Sequence, residues 1–218
     1  EDNSPESLQE KALKIIAQIP IVTAYFHLHR QGKSMVESRP DLNEAANFLY
    51  LINGGTEAEK DSVDTLDMCY VLHADHGMNA STFASRVTVA TLSDIYSAVT
   101  SAIGTLKGPL HGGANEAVIR MLQEIGSLEN VDAFIADCLE NKKKVMGIGH
   151  RVYKVLDPRA VKLRKMVLKM GEKISEPKWI QMSDKIAEIM LNKKGLHANV
   201  DFYSASVYYS LDLSLIHI

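Results

Sequence analysis

The sequence predicts an all-α fold of two helical lobes. Apolar residues recur with the 3.6-residue period of a helix in nearly every segment, and convincing two-residue alternation is scarce. Capping residues before these segments, and glycines or prolines after them, divide the chain into separate helices. Its 218 residues, 46% hydrophobic and 23% charged, suffice for one large globular domain or two small ones.

The first helices are predicted from their caps. Ser4 and Pro5 suit the cap and the first position of a helix whose apolar face stops at Pro20. Asp41 is the candidate cap of a second helix, which ends at Gly54-Gly55. Thr56 and Glu59 match a capping box, so a third helix should start there.

The remaining helices are predicted from apolar stripes. One stripe lies between Ile95 and Leu106, and another between Ala114 and Ile125, closed by Gly126. Later helices should begin at Asn130, Asp157-Pro158, Pro177 and beside Asp201. The Gly104 to Gly113 segment, rich in glycine and proline, is the candidate hinge. We therefore expect 1–110 to belong to a large helical domain, and 111–211 mostly to a small one.

Composition argues against several classes of protein. The net charge of −3 gives no reason to expect nucleic-acid binding, and no apolar run approaches the length of a membrane helix. Cys69 and Cys138 show neither metal-type spacing nor a disulfide framework, so a reducing, cytoplasmic location is expected. The N-terminus does not resemble a signal or transit peptide and reads as the interior of a longer protein.

Histidines form the first group of candidate functional residues. His73 and His76 lie three residues apart at the end of a helical pattern. A structural metal would need further Cys or His ligands, so ligand binding is favoured, with structural polar histidines or a metal pair as alternatives. His111 and His150 each lie against glycines, which allow the backbone to approach a ligand closely.

The surroundings of these two histidines suggest acid–base chemistry. His111 directly precedes a helix, whose N-terminus favours a neutral imidazole that can donate to a carbonyl becoming an enolate. A capping role without chemistry is equally open. Arg159 follows His150 closely and can bind a carboxylate through two N–H groups. Asp201, among apolar neighbours, is either a helix cap or a base. Lys143 is either solvated or a phosphate contact.

Taken together and in order, these motifs resemble the citrate synthase family. The similarity runs from about residue 8 to Leu211. Each motif is modest alone, but five in register are highly specific. The matching segments are Leu-His-Ala-Asp-His at 72–76, Gly-Pro-Leu-His-Gly-Gly-Ala-Asn-Glu-Ala at 108–117, Gly-Ile-Gly-His-Arg-Val-Tyr-Lys at 147–154, Asp-Pro-Arg-Ala at 157–160 and Asn-Val-Asp-Phe-Tyr-Ser at 199–204.

The resemblance implies condensation of acetyl-CoA with oxaloacetate, followed by thioester hydrolysis, without a metal or prosthetic group. It implies that Asp201 is the base, that His111 stabilises the enolate, and that His150 polarises the ketone of oxaloacetate. His76 and Arg159 would bind oxaloacetate, with His73 in support. The implied CoA-binding residues are Lys143, Val145, Met146, Gly147, Ile148 and Gly149.

Alternatives to this function remain open. A 2-methylcitrate synthase, which uses propionyl-CoA, differs by one methylene in the pocket, and motifs do not resolve that difference. An inactive acyl-CoA-binding helical module is a second alternative. Family members extend further at both ends, so the chain is expected to be a fragment, inactive alone and homodimeric when complete. Residues 212–218 do not resemble the family's continuation.

Overall fold

The described part of the chain is built from helices. The computed structural model describes residues 2–74, 77–150, 155–171 and 178–213. Within these ranges the only strand-like pairing is an isolated bridge between Ile148 and Ala198, so the predicted all-α fold is confirmed. The helices are α1 Pro5–Arg30, α2 Glu44–Ile52, α3 Lys60–His73, α4 Ala80–Ala90, α5 Ile95–Leu106, α6 Ala114–Ile125, α7 Val131–Glu140, α8 Pro158–Gly171, α9 Lys178–Lys194 and α10 Val200–Ser210.

These helices divide into two compact units. The first lies within residues 2–107 and contains α1 to α5, and the second lies within 108–213 and contains α6 to α10. The boundary falls inside the glycine-rich Gly104 to Gly113 segment. The assignment of the units to a large and a small domain stays a prediction. None of the described helices has the length and apolarity that a membrane crossing requires.

In the first unit, α2 packs between α1 and α3, while α4 and α5 pack closely on each other. Leu28, Leu51 and Leu66 are among its buried side chains. Much apolar surface nevertheless stays exposed in the described chain: Ile16 of α1 is 62% exposed, and Phe83 of α4 is 60% exposed. This unit therefore buries only part of the apolar stripes that its sequence contains.

Helix α1 corrects the prediction that Pro20 ends the first helix. It begins at Pro5, capped by Ser4 as expected, but continues through Pro20 to Arg30. A proline removes only its own N–H from the helical ladder, although it also crowds the preceding turn. The helix resumes because Ala24 and Leu28, one and two turns later, are completely buried and stabilise the second half by packing.

Two predicted caps are also wrong. Asn43, not Asp41, caps α2, because its side chain accepts a hydrogen bond from the Ala46 N–H. Asp41 is instead paired with Arg39. Glu59 precedes α3 without a side-chain capping bond, so the predicted capping box does not form.

In the second unit, α10 packs against α6, α8 and α9. Its residues from Phe202 to Val207 are all buried, so every face of this stretch, including the hydroxyls of Ser204 and Ser206, is packed inside the unit. Helix α6 spans Ala114–Ile125 and ends at Gly126, whose φ of 75° favours glycine, as the sequence predicts. Helix α8 also starts at Pro158 as predicted, whereas Pro177 lies outside the described residues.

Candidate active site

Asp201 lies at the start of α10, where an extended segment turns into the helix. The side-chain Oδ1 of Asn199 accepts a hydrogen bond from the Asp201 backbone N–H at 3.0 Å. The Ser204 hydroxyl donates to the Asp201 backbone carbonyl at 3.3 Å. The backbone of Asp201 is thus held by flanking side chains, while its carboxylate accepts no hydrogen bond from the described residues.

The surroundings of Asp201 favour a basic carboxylate. Burial raises the pKa of the Asp201 carboxyl above its usual range, and the charges of Arg159 and His111 lower it in part. The negative charge of Asp157 adds to the increase. A carboxylate with a raised pKa is a stronger base than an exposed aspartate, and such perturbed groups concentrate at functional sites. Arg159 and His111 therefore lie close enough to Asp201 to act on its charge.

Arg159 is oriented by Asp157 at the start of α8. Its Nε donates to Oδ1 at 3.1 Å, and its Nη2 donates to Oδ2 at 2.8 Å. Burial acts to raise the pKa of Asp157, but the bonds and charge of Arg159, with a contribution from His150, outweigh it and lower the pKa. Asp157 thus fixes the guanidinium in one direction, and His150 lies within electrostatic reach of the same pair.

The glycine-rich segment 145–149 is fastened to the residues that precede Asp201. Gly149 N–H donates to the His197 carbonyl at 2.8 Å, and Asn199 N–H donates to the Gly147 carbonyl at 2.9 Å. The Asn199 side-chain Nδ2 also donates to the Gly149 carbonyl at 2.8 Å. Because His150 directly follows Gly149, these bonds connect the backbone before His150 to the helix that carries Asp201.

Gly147 is required by a close approach. Its φ is +74°, and a Cβ built there would lie 2.8 Å from side-chain carbons of both Phe202 and Val118. Val118 belongs to α6 and Phe202 to α10. Any side chain at position 147 would push the segment 145–149 away from these two helices. The segment would then lose its contact with Phe202, the neighbour of Asp201 in the sequence.

His111 lies in a tight turn immediately before α6. Its N–H donates to the Gly108 carbonyl at 2.9 Å, and its own carbonyl accepts from the Ala114 N–H at 2.9 Å. The Asn115 Nδ2 donates to the Ser204 hydroxyl at 3.1 Å, which ties the start of α6 to α10. The position of His111 relative to Asp201 is therefore supported by a side-chain bond between the two helices.

Lys143 forms an ion pair within the second unit. Its ammonium is 2.8 Å from Asp137 of α7, and both side chains are largely exposed. A cleft of about 310 Å³ lies beside this pair and beside Met146. Further lining residues include Arg120, Phe134 and Lys144. A role of Lys143 in CoA binding stays a prediction and requires a phosphate to compete with Asp137.

His73 is the remaining candidate that the structure describes, and it lies in the first unit. The His73 Nδ1 is 2.7 Å from the Cys69 carbonyl, one turn earlier in α3. His76 lies outside the described residues, so its predicted role rests on its motif alone. No group of three or more potential metal-binding side chains occurs in the described part of the chain. Cys69 and Cys138 are both buried and do not form a disulfide with each other.

The second unit therefore brings together His111, His150, Arg159 and Asp201. The sequence did not predict the residues that position these four side chains. Asp157 was recognised only as a helix start, and Asn115, Asn199 and Ser204 only as parts of motifs. The capping role of Asn199 could have been predicted, because an asparagine just before the first turn of a helix is a typical N-cap. The bonds from Asn115 and Asn199 to distant residues had no such signal.

Comparison with known proteins identifies the family. A family model described as the C-terminal domain of citrate synthase matches residues 1–215. Citrate synthase 2 of Bacillus subtilis is 51% identical over 210 residues, which cover 96% of this chain and 56% of that protein. The chain belongs to the citrate synthase family. It spans about half the length of the curated relatives it matches.

A solved citrate synthase supports this assignment at the level of structure. The enzyme from Thermoplasma acidophilum, in a ternary complex with carboxymethyl coenzyme A and oxaloacetate, matches 98% of this chain with a TM-score of 0.91 and 33% identity. The match covers 57% of that structure. A second Bacillus subtilis protein, citrate/2-methylcitrate synthase, is 35% identical over 99% of this chain. Membership of the citrate synthase family therefore does not by itself identify the acyl group.

Proposed function

We propose that this chain carries the acid–base groups of a citrate synthase, which condenses acetyl-CoA with oxaloacetate to citrate and CoA. The observation that supports this proposal most strongly is the environment of Asp201. A desolvated carboxylate lies within electrostatic reach of His111 and Arg159, at the start of a helix fastened to the segment before His150. Such an arrangement suits proton removal from a weak carbon acid beside a carbonyl.

In the first step, the Asp201 carboxylate removes a proton from the acetyl methyl group. The electron pair moves into the carbon–carbon bond of the enolate, and negative charge develops on the thioester oxygen. The His111 ring donates a hydrogen bond to that oxygen. One preorganised donor of this kind is worth about 3–4 kcal/mol. Asp201 alone lacks the basicity for this step, so His111 is needed beside it.

In the second step, the enolate carbon attacks the ketone carbon of oxaloacetate. His150 donates to the ketone oxygen and protonates it as the alkoxide forms. Arg159, oriented by Asp157, binds a carboxylate of oxaloacetate. Water then hydrolyses the citryl thioester and releases CoA. No metal or prosthetic group takes part, and acetyl-CoA is a substrate.

The CoA-binding and further oxaloacetate-binding roles rest on motifs. We assign Val145, Met146, Gly147, Ile148, Gly149 and Lys143 to CoA, and His73 and His76 to oxaloacetate. The positive φ values of Gly147 and Gly149 support a segment whose backbone, rather than its side chains, meets the nucleotide. A cytoplasmic location stays a prediction from the cysteine content.

The full-length protein that contains this chain is proposed to be a homodimer. The support is apolar surface on the α4–α5 pair of the first unit, where Phe83, Val87 and Ile103 are each at least half exposed. Patches of this kind mark interaction surfaces. Light scattering on the full-length protein should give twice the monomer mass, and a monomer would contradict the proposal.

A thiol-release assay tests the activity. Purified full-length protein with acetyl-CoA and oxaloacetate should release CoA only when both substrates are present, and the 218-residue chain should be assayed beside it. Absence of oxaloacetate-dependent release from the full-length protein would overturn the proposed function. Release by the 218-residue chain would show that the sequence beyond it is dispensable.

A second candidate is 2-methylcitrate synthesis from propionyl-CoA. It is favoured by the similarity to citrate/2-methylcitrate synthase of Bacillus subtilis. A single methylene changes selectivity by about 1–3 kcal/mol, so the same residues serve both reactions. The ratio of kcat/KM for acetyl-CoA and propionyl-CoA in the same assay decides between them.

A further inference from the structure

We propose that Asn199 is a positioning residue that holds the base Asp201 and the backbone before His150 in one rigid frame. The inference rests on the proposed function, because it assigns Asn199 to the reaction that Asp201 and His150 perform. Asn199 itself is not proposed to touch either substrate. It acts through hydrogen bonds to the segments that carry the two reacting side chains.

Asn199 uses its backbone and both ends of its amide. Its backbone N–H donates to the Gly147 carbonyl at 2.9 Å. Its Nδ2 donates to the Gly149 carbonyl at 2.8 Å, and its Oδ1 accepts from the Asp201 N–H at 3.0 Å. The amide orientation is unambiguous, since the side-chain nitrogen faces a carbonyl and the side-chain oxygen faces an N–H. One residue therefore joins two segments that lie 50 positions apart.

Both segments lead directly to a proposed catalytic side chain. His150 is the residue after Gly149, and Asp201 lies two residues after Asn199 in the first turn of α10. The Ile148–Ala198 bridge and the Gly149–His197 bond extend the same connection. A displacement of the Gly149 carbonyl would therefore move His150 relative to Asp201. The reaction requires both side chains at one carbon–carbon bond, and a misplacement of about 1 Å can cost about 100-fold in rate.

A simple helix cap would not need this arrangement. Asn43 caps α2 by accepting from the Ala46 N–H at 2.8 Å, as Asn199 does at α10. Serine caps a helix about as well as asparagine, but its side chain is shorter and carries no amide nitrogen. Asn199→Ser therefore keeps the cap and removes the donor to Gly149. Asn43→Ser is the matched control, because it makes the same substitution at a cap in the first unit.

The experiment compares Asn199→Ser, Asn199→Asp and Asn43→Ser with the wild type in the full-length protein. The aspartate variant keeps the size and the capping oxygen but places an acceptor against the Gly149 carbonyl. Measurements are the melting temperature and the separate kcat and KM values for acetyl-CoA and oxaloacetate. We expect both Asn199 variants to lose about 10- to 100-fold in kcat, the scale of a misplaced reacting group, with a smaller rise in the KM for acetyl-CoA and little change in the KM for oxaloacetate. Asn199→Ser should melt somewhat below Asn43→Ser, because it also loses the hydrogen bond to Gly149, and Asn43→Ser should keep the wild-type kcat.

Other outcomes overturn the proposal. A wild-type kcat in Asn199→Ser would show that the bond to Gly149 does not position the site. A kcat loss fully explained by a lower fraction of folded protein, or failure of both Asn199 variants to fold, would make Asn199 a structural residue only. A wild-type protein without oxaloacetate-dependent thiol release would instead refute the proposed function, so the two failures are distinguishable.

Discussion

Two helix starts in the second unit, those of α8 and α10, place an aspartate in opposite electrostatic situations. At α8, Asp157 is 1% exposed and binds Arg159 through two side-chain hydrogen bonds, and its pKa is lowered. At α10, burial raises the pKa of Asp201, and no hydrogen bond from the described residues reaches its carboxylate. The same side chain is thus stabilised as an anion at α8 and destabilised as an anion at α10.

The difference in pKa indicates that Asp157 contributes to folding, whereas Asp201 is the stronger base. An anion whose partners satisfy it contributes to folding but is a weak base, whereas an anion without such partners costs stability and binds a proton more readily. The lowered pKa of Asp157 suits an anchor for Arg159, and the raised pKa of Asp201 suits a base. Substitutions at the two positions should therefore have opposite consequences.

The largest expected effect is that of Asp201→Asn on activity in the full-length protein. Asparagine matches the size of aspartate but cannot accept the methyl proton, so kcat for thiol release should fall by about 1,000-fold or more. The melting temperature at neutral pH should stay the same or rise, because the substitution removes a desolvated charge. Calorimetry and the thiol-release assay check both expectations. A variant that keeps its activity would show that Asp201 is not the base. A variant that melts markedly lower would show that the Asp201 anion stabilises the fold, as the Asp157 anion does.

Asp157→Ala should act in the opposite sense. It removes the carboxylate that binds the Arg159 guanidinium, which is 14% exposed, and loss of one partner of a buried pair costs about 3–5 kcal/mol in the free energy of unfolding. Urea denaturation of the full-length protein measures this change, and the KM for oxaloacetate should rise as Arg159 loses its orientation. Unchanged stability would show that Asp157 does not anchor the guanidinium.

The pH dependence should separate the two aspartates without any substitution. The folded pKa of Asp201 lies above the ordinary value of 3.8, so its basic form is lost first as the pH falls. The folded pKa of Asp157 lies below 3.8, so the stability it contributes is complete above that value and is lost only as the pH falls through the lower one. Thiol release should therefore decline at a pH where circular dichroism still shows the folded protein. Simultaneous loss of rate and helicity would contradict the assignment.

The sequence predicted most where the chemistry is local. Helix α6 was predicted at both ends, because an amphipathic stripe and a terminating glycine act within a few residues of each other. The continuation of α1 beyond Pro20 was not predicted, because it depends on the burial of Ala24 and Leu28 by other parts of the unit. Tertiary packing outweighed a local signal there.

The candidate site shows the same division. His111, His150, Arg159 and Asp201 were identified from motifs and their resemblance to a family. The residues that position them were not, because the Asn199–Gly149 bond joins positions 50 apart and the Asn115–Ser204 bond joins positions 89 apart. Hydrogen bonds over such separations leave no periodic trace in a sequence.

The smallest expected effect is that of Lys143→Ala, which removes an exposed ion pair and so shows what burial adds to the Arg159–Asp157 pair. Lys143 and Asp137 form an ion pair as Arg159 and Asp157 do, but 60% and 48% of their side chains are exposed. Water and salt screen such a pair, so its removal should leave the melting temperature unchanged.

If Lys143 also meets a CoA phosphate, the KM for acetyl-CoA should rise by about threefold at low salt and converge with the wild type at high salt, because screening weakens an exposed charge. Steady-state kinetics at two salt concentrations test this, with Lys193→Ala, an exposed lysine at the end of α9, as the control for loss of one positive charge. A melting temperature as low as that of Asp157→Ala would show that pairing itself, rather than burial, determines what these aspartates contribute.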